Sequence, residues 1–71
     1  MKTFAVVFEA GPSSVGAYVP DLPGCVAVGE TLADAERLIR EAILFHIQGL
    51  VEAHEPVPEP TSHVEYLDIA V

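Results

Sequence analysis

The sequence has few basic residues, one cysteine, no tryptophan and no long apolar run. Three lysines and arginines stand against eleven acids among 71 residues, which gives a formal net charge of −8 at pH 7. Nucleic-acid affinity comes largely from basic side chains that neutralise phosphates, so we expect no direct binding of DNA or RNA by this chain. An acidic chain is better suited to a basic protein partner, because complementary charge steers encounter.

Other absences exclude further classes of protein. One cysteine excludes an intramolecular disulfide framework and a multi-cysteine zinc site. No apolar run reaches the roughly 18–20 residues that span a bilayer, and the N-terminal stretch MKTFAVVFEAG has an acid at Glu9 and no small-residue cleavage site. There is no glycine-rich phosphate loop. We therefore expect a cytoplasmic protein with no membrane segment, signal peptide or cofactor.

Apolar residues, by contrast, are abundant. They make up 51% of the chain, which is above the usual share for a soluble domain. The length allows one small domain, predicted as residues 1–71, and such a domain buries a modest fraction of its surface. The excess apolar surface predicts a homo-oligomer or a protein partner.

The hydrophobic pattern predicts an α+β fold with the order β-β-β-α-β. The predicted elements are a hairpin over 2–20, a third strand over 25–29, a helix over Leu32–Ala53, a proline-rich connector over 54–62 and a last strand over 63–71. Thr31 is the predicted N-cap of the helix, with Asp34 three residues later. One helix covers only one face of a four-stranded sheet, so the other face is expected to meet another chain.

Three apolar residues lie on or beside the polar arc of the predicted helix. They are Leu44, Phe45 and Val51. A single exposed leucine is ordinary, but three such residues on one helix predict a contact between subunits.

No residue pattern predicts a catalytic or metal site. Cysteine catalysis needs a thiolate stabilised by a cation, a helix N-terminus or a paired histidine, and no histidine adjoins Cys25 in the sequence. We interpret Cys25 as a small apolar residue at a strand start and Asp21 as a turn residue. His46 is interpreted as a half-buried residue of the helix, because no second ligand stands at metal-binding spacing from it.

The stretch YVPDLPGCVAVGETLADAERLIREAI, residues 18–43, closely resembles the HicB-like antitoxin family. The shared features are a tyrosine-led strand, a DLPGC turn, a later glycine and an acid-Thr-Leu helix start. The EPVPEPT segment over 55–61 is similar to the proline-rich exit from the helix in that family. The motif positions, taken as fold markers and candidate partner contacts, are Tyr18, Asp21, Leu22, Pro23, Gly24, Cys25, Gly29 and Thr31.

The resemblance implies a fold like a trimmed ribonuclease H core without the catalytic acids, and therefore not an enzyme. It implies dimers or tetramers, and binding to a small basic RNA-cleaving toxin of the HicA type. Many members of the family continue into a DNA-binding domain. Because this sequence ends at Val71, the expectation is the short form of the family.

Two alternatives stay open on sequence alone. One is an orphan module that assembles with itself and has no toxin partner. The other is a remnant ribonuclease H-like, metal-dependent nuclease, which requires at least three carboxylates that converge on one site.

Overall fold

The computed structural model describes all 71 residues and contains three short strands followed by one helix. The elements are β1 (Val7–Ala10), β2 (Val15–Tyr18), β3 (Val26–Gly29) and α1 (Leu32–Glu52). The strands form one antiparallel sheet in the order β1-β2-β3. The fold is therefore α+β, with α1 packed on one face of the sheet.

The predicted fourth strand is absent, so the prediction of a β-β-β-α-β fold with a four-stranded sheet is wrong. Residues 63–71, which we call the tail, are exposed and pair with no strand of the sheet. Their alternating apolar pattern specifies an extended, two-faced segment, but a strand also needs a neighbour that accepts its backbone hydrogen bonds. The ribonuclease H-like core implied by the family resemblance depended on that strand and is not supported.

The core lies between α1 and the sheet and is small. Seven of 71 residues are buried. The core cluster consists of Ala17, Val19, Leu22, Cys25 and Ile39. Because α1 packs chiefly over β3 and least over β1, the helix side of β1 is only partly covered.

The helix matches its predicted bounds to within one residue. The hydroxyl of Thr31 accepts a hydrogen bond from the Asp34 backbone N–H at 3.1 Å, which satisfies one of the unpaired donors of the first turn. At the other end, His54 adopts a positive φ of 58°, and the Glu55 N–H bonds the Leu50 carbonyl at 2.9 Å. These bonds turn the chain out of the helix. No helix in the chain has the length and apolar character that crossing a membrane requires.

Candidate partner-binding surfaces

The segment over residues 21–35, which we call the corner, joins the sheet to the helix. The Cys25 backbone N–H donates to the Leu22 carbonyl at 3.0 Å, and the Val19 N–H donates to the Cys25 carbonyl at 3.2 Å. Gly24 has a φ of 83°, a conformation that favours glycine. These contacts turn the chain so that the Leu22 side chain is fully buried (0% exposed).

Gly29 lets the helix begin directly against the end of β3. A Cβ at this position would lie 2.5 Å from the Ala35 backbone nitrogen and 2.9 Å from the Asp34 Cβ. Only glycine fits without displacing the first helical turn. The glycine and the threonine of the motif therefore fix where α1 starts.

Asp21 does more than form a turn, because its carboxylate holds the connector over 54–62. It accepts hydrogen bonds from the backbone N–H groups of Thr61 at 3.2 Å and Ser62 at 3.0 Å. It also accepts from their hydroxyls, at 3.1 Å for Thr61 and 2.9 Å for Ser62. These bonds lower the pKa of Asp21, and the bond from the Ser62 N–H has the largest effect. Partial desolvation raises the pKa, but the other three hydrogen bonds lower it further.

The four hydrogen bonds from Thr61 and Ser62 to the Asp21 carboxylate, which we call the clamp, were missed by sequence reasoning. Asp21 and Ser62 are separated by 41 positions, and no local pattern links an acid before a turn to a distant Thr-Ser pair. The connector is also held by an ion pair between Lys2 and Glu59. Together, the two contacts tie the connector to the N-terminal residues and to the corner.

Cys25 and His46 line one groove beside β3, with a volume of about 510 Å³. The thiol itself is buried, and burial raises its pKa. A raised pKa reduces the thiolate fraction that nucleophilic catalysis needs. The environment of Cys25 is that of a core residue.

Acidic, histidine and cysteine side chains do not come together in threes. No group of three or more of them lies close enough to hold a metal ion. The acids are distributed over strand ends, the helix and the tail.

The motif positions divide into buried and exposed residues. Leu22, Cys25 and Gly29 are buried and build the corner. Four others are exposed at the surface, where a partner can reach them: Tyr18, Pro23, Gly24 and Thr31.

The sheet face away from α1, which we call the open face, has an apolar centre. Tyr18 and Val26 are opposite each other in the β2–β3 register, and Val28 is two positions further along β3. All three side chains are exposed. Glu9 and Val28 both pair with Gly16, so they lie in one row across the sheet. The open face therefore combines an exposed apolar centre with at least one acidic side chain, that of Glu9.

A second apolar surface lies between the first strand and the helix. We call it the β1 groove, and its volume is about 650 Å³. Its apolar lining includes Phe4 and Val6, which precede β1, Phe8 from β1, and Ile39, Ile43 and Leu44 from α1. The Lys2 side chain also lines it, so the connector bound to Lys2 passes beside this groove.

The three helix positions predicted as subunit contacts are all exposed, but they do not form one patch. Leu44 lines the β1 groove, whereas Phe45 lines the groove that contains Cys25. Val51 is near the end of α1. The subunit contact of these residues stays a prediction, and the structure assigns Leu44 and Phe45 to different surfaces.

Comparison with known proteins gives a family match and two relatives. A family model described as the HicB-like antitoxin of bacterial toxin–antitoxin systems matches residues 4–70. An uncharacterized 14.9 kDa protein of Haemophilus phage HP1 is 42% identical over 50 residues, which cover 70% of this chain and 38% of the phage protein. A UPF0150 protein of Synechocystis is 40% identical over 55 residues, which cover 78% of this chain and 70% of that protein. No solved structure matches this chain.

Proposed function

The chain belongs to the HicB-like antitoxin family of bacterial toxin–antitoxin systems, and on that premise we propose that it binds and neutralises a small basic RNA-cleaving toxin of the HicA type. The observation that carries the proposal is the family match over residues 4–70. In this proposal the single domain over residues 1–71 acts in the cytoplasm by binding protein, and it is not an enzyme.

The open face is the surface that we assign to the toxin. Its exposed centre of Tyr18, Val26 and Val28 supplies apolar area, and apolar and aromatic side chains at the middle of an interface carry most of the binding energy. A toxin that binds RNA needs a basic surface to neutralise phosphates. The same basic surface is complementary to an acidic antitoxin.

The charge of the whole chain supports a basic partner. The net charge of −8 gives a long-range attraction toward a basic protein and repels RNA. Such steering raises the association rate and weakens as salt screens it, over a distance of about 10 Å at 0.1 M. We therefore expect the rate of toxin binding to fall as the salt concentration rises.

Co-expression tests the proposal. The chain is produced together with the small basic toxin-like protein encoded next to its gene. We expect the two to purify as one complex and growth arrest by the toxin to be relieved. Failure to form a complex, with growth arrest unchanged, would contradict the antitoxin role.

A pair of variants tests the surface. Val28→Arg places a positive charge in the open face, and Val51→Arg places one at a similarly exposed position on the helix (65% and 59% exposed). We expect Val28→Arg to weaken toxin binding by at least about tenfold, since truncated or clashing central contacts cost more than 1 kcal/mol. Val51→Arg should leave binding nearly unchanged. Equal losses for both would show that the open face has no special role.

Self-association is the second part of the proposal, as a dimer or tetramer. The exposed apolar side chains of the tail and of Leu44 support it. The same exposure also suits the alternative of an orphan module that assembles with itself. The co-expression experiment separates the two functions, because an orphan module would assemble without binding any toxin.

A further inference from the structure

The tail is built like a strand but has no partner within its own chain. Leu67, Ile69 and Val71 alternate on one side, and Tyr66 and Ala70 lie on the other. Leu67 is 73% exposed and Ile69 is 71% exposed. Large apolar side chains on a segment with unpaired backbone groups are expected to be covered by another surface.

The amount of exposed surface indicates that the chain associates with a partner. The chain exposes 5591 Å², whereas a compact monomer of 7.6 kDa exposes about 4,300 Å². The excess of about 1,300 Å² is larger than the roughly 800 Å² that each partner buries in a standard interface. Its radius of gyration of 13.8 Å also exceeds the roughly 11 Å of a compact chain of this length.

An open strand edge and an apolar groove lie side by side at β1. This strand is at one end of the sheet, so one row of its N–H and C=O groups has no strand neighbour and can pair with another chain. The β1 groove continues the core beyond this edge, since Phe4 and Val6 pack against the buried cluster. A strand added here would place every second side chain in the groove.

The last five residues of the tail fit this place in length and in pattern. Residues 67–71 span about 17 Å when extended, and the four residues of β1 span about 13 Å. With Leu67, Ile69 and Val71 turned toward the groove, Asp68 and Ala70 face the solvent side. The charged residue of that stretch then stays in water.

The tail does not fill the β1 groove of its own chain, because no residue of the tail lines that groove. Thr61 and Ser62 are fixed to Asp21 by four hydrogen bonds, and Glu59 is paired with Lys2. Prolines at 56, 58 and 60 fix the backbone φ on either side of Glu59 and just before Thr61. The tail follows this fixed segment, all of its residues are exposed, and it pairs with no strand of its own chain, so it is accessible to a second molecule.

From these observations, we propose that the tail of one copy adds as a fourth strand to the open edge of β1 in a second copy and that the second copy returns its own tail in the same way. Leu67, Ile69 and Val71 of each tail occupy the β1 groove of the other copy. Reciprocal exchange closes with two-fold symmetry and leaves neither tail exposed. The exchange rests on the self-association part of the proposed function and needs no toxin, so it can hold or fail independently of the antitoxin role.

The mass of the isolated full chain in solution tests the exchange first. We expect light scattering to give twice the 7.6 kDa of one chain. Ile69→Asp should shift the mass toward that of a monomer, because a carboxylate would enter the apolar groove. Its neighbour Ala70 is on the other side of the tail, so Ala70→Asp should keep the dimer. A monomeric unchanged chain, or equal effects of the two variants, would overturn the proposal.

The groove itself is tested by a second adjacent pair. Leu44 lines the β1 groove and Phe45 lines the other groove, and both side chains are exposed, so neither change disturbs the core. Leu44→Asp should dissociate the dimer, whereas Phe45→Asp should leave it intact. The helical circular dichroism of both variants should match that of the unchanged chain. Dissociation by Phe45→Asp alone would place the subunit contact elsewhere and overturn the exchange.

Mixed dimers identify which copy supplies the strand. One copy is labelled with ¹³C and the other is unlabelled, and isotope-filtered nuclear Overhauser contacts between copies are recorded. We expect contacts from the Ile69 methyl groups to the rings of Phe4 and Phe8 across the two copies. Contacts that arise only within one copy, or only between the two tails, would contradict the proposal.

Discussion

The corner over residues 21–35 and the tail over residues 63–71 are both rich in apolar residues, but their environments are opposite. In the corner, Leu22 and Cys25 are buried and their backbone groups are hydrogen-bonded within a few residues. In the tail, every residue is exposed and no backbone pairing is formed. An apolar pattern therefore indicates that a segment will be covered, but not which surface covers it.

The two regions are joined at one residue. Asp21 belongs to the corner, and its carboxylate holds Thr61 and Ser62 just before the tail begins. The corner therefore sets the direction in which the tail leaves the domain. In the proposed dimer, the residue that orients the exchanged strand is one that the family motif already contains.

The largest expected difference in stability is between a leucine of the corner and a leucine of the tail, when each is replaced by alanine. Leu22→Ala removes a fully buried side chain and should lower the free energy of unfolding by about 2–5 kcal/mol. A domain of this size has about 4–11 kcal/mol in total. Leu67→Ala should lower it only at protein concentrations where the chain is associated. Urea unfolding at several protein concentrations measures both, and a large loss for Leu67→Ala at high dilution would contradict the comparison.

Alanine substitutions at two glycines should change the stability by smaller amounts and in opposite directions. Gly29→Ala forces a Cβ against Asp34 and Ala35 and should destabilise the fold by about 1–3 kcal/mol. Gly49→Ala adds a Cβ in α1 that meets nothing within 4 Å, and it should stabilise the helix by about 0.5–1 kcal/mol. Thermal unfolding followed by circular dichroism measures both changes. Stabilisation by Gly29→Ala would mean that the helix start is not closely packed on β3.

The helix cap is expected to contribute less. Thr31→Ala removes the acceptor for the Asp34 N–H and should cost about 1 kcal/mol. Thr31→Ser keeps a hydroxyl at the same place and should retain most of that stability. A chemical denaturation series compares the three proteins, and equal losses for alanine and serine would exclude the cap as the cause.

The smallest expected effect is the loss of the clamp between the two regions as the pH falls. The pKa of Asp21 is lowered in the folded chain, so its contribution is fully present above the ordinary value of about 3.9 and is lost as the pH falls through the lowered value. The amide proton shifts of Thr61 and Ser62 should titrate below that ordinary value. In Asp21→Asn this titration should disappear, while Glu59→Gln, which removes only the Lys2 contact, should keep it. A titration that persists in Asp21→Asn would assign it to another group.

Several features of the fold could be predicted because they depend on neighbours in the sequence. The N-cap at Thr31 lies three residues from its hydrogen-bond donor, and the helix bounds follow from this cap and from the proline-rich stretch that ends it. The turn at Gly24 and the third strand also follow from local residue types. The family motif lies in this part of the chain, so the family could be identified from it as well.

Other features depend on residues that are far apart in the sequence. The clamp joins positions separated by about 40 residues, and the β1 groove brings the first strand against the middle of α1. No pattern within a window of a few residues records such contacts. For the same reason, the helix pattern predicts one contact for Leu44 and Phe45, although the two side chains line different grooves.

The sequence by itself determined the local elements, the acidic charge and the alternating character of the tail, since each depends on residue types and short spacings. Only the tertiary structure decided whether the tail becomes a strand, because pairing requires a free edge within reach of its backbone groups. In this chain the connector is held at Asp21 and Lys2, and the tail pairs with no strand of the sheet. The fourth strand is therefore missing from the single chain, although its sequence pattern is present.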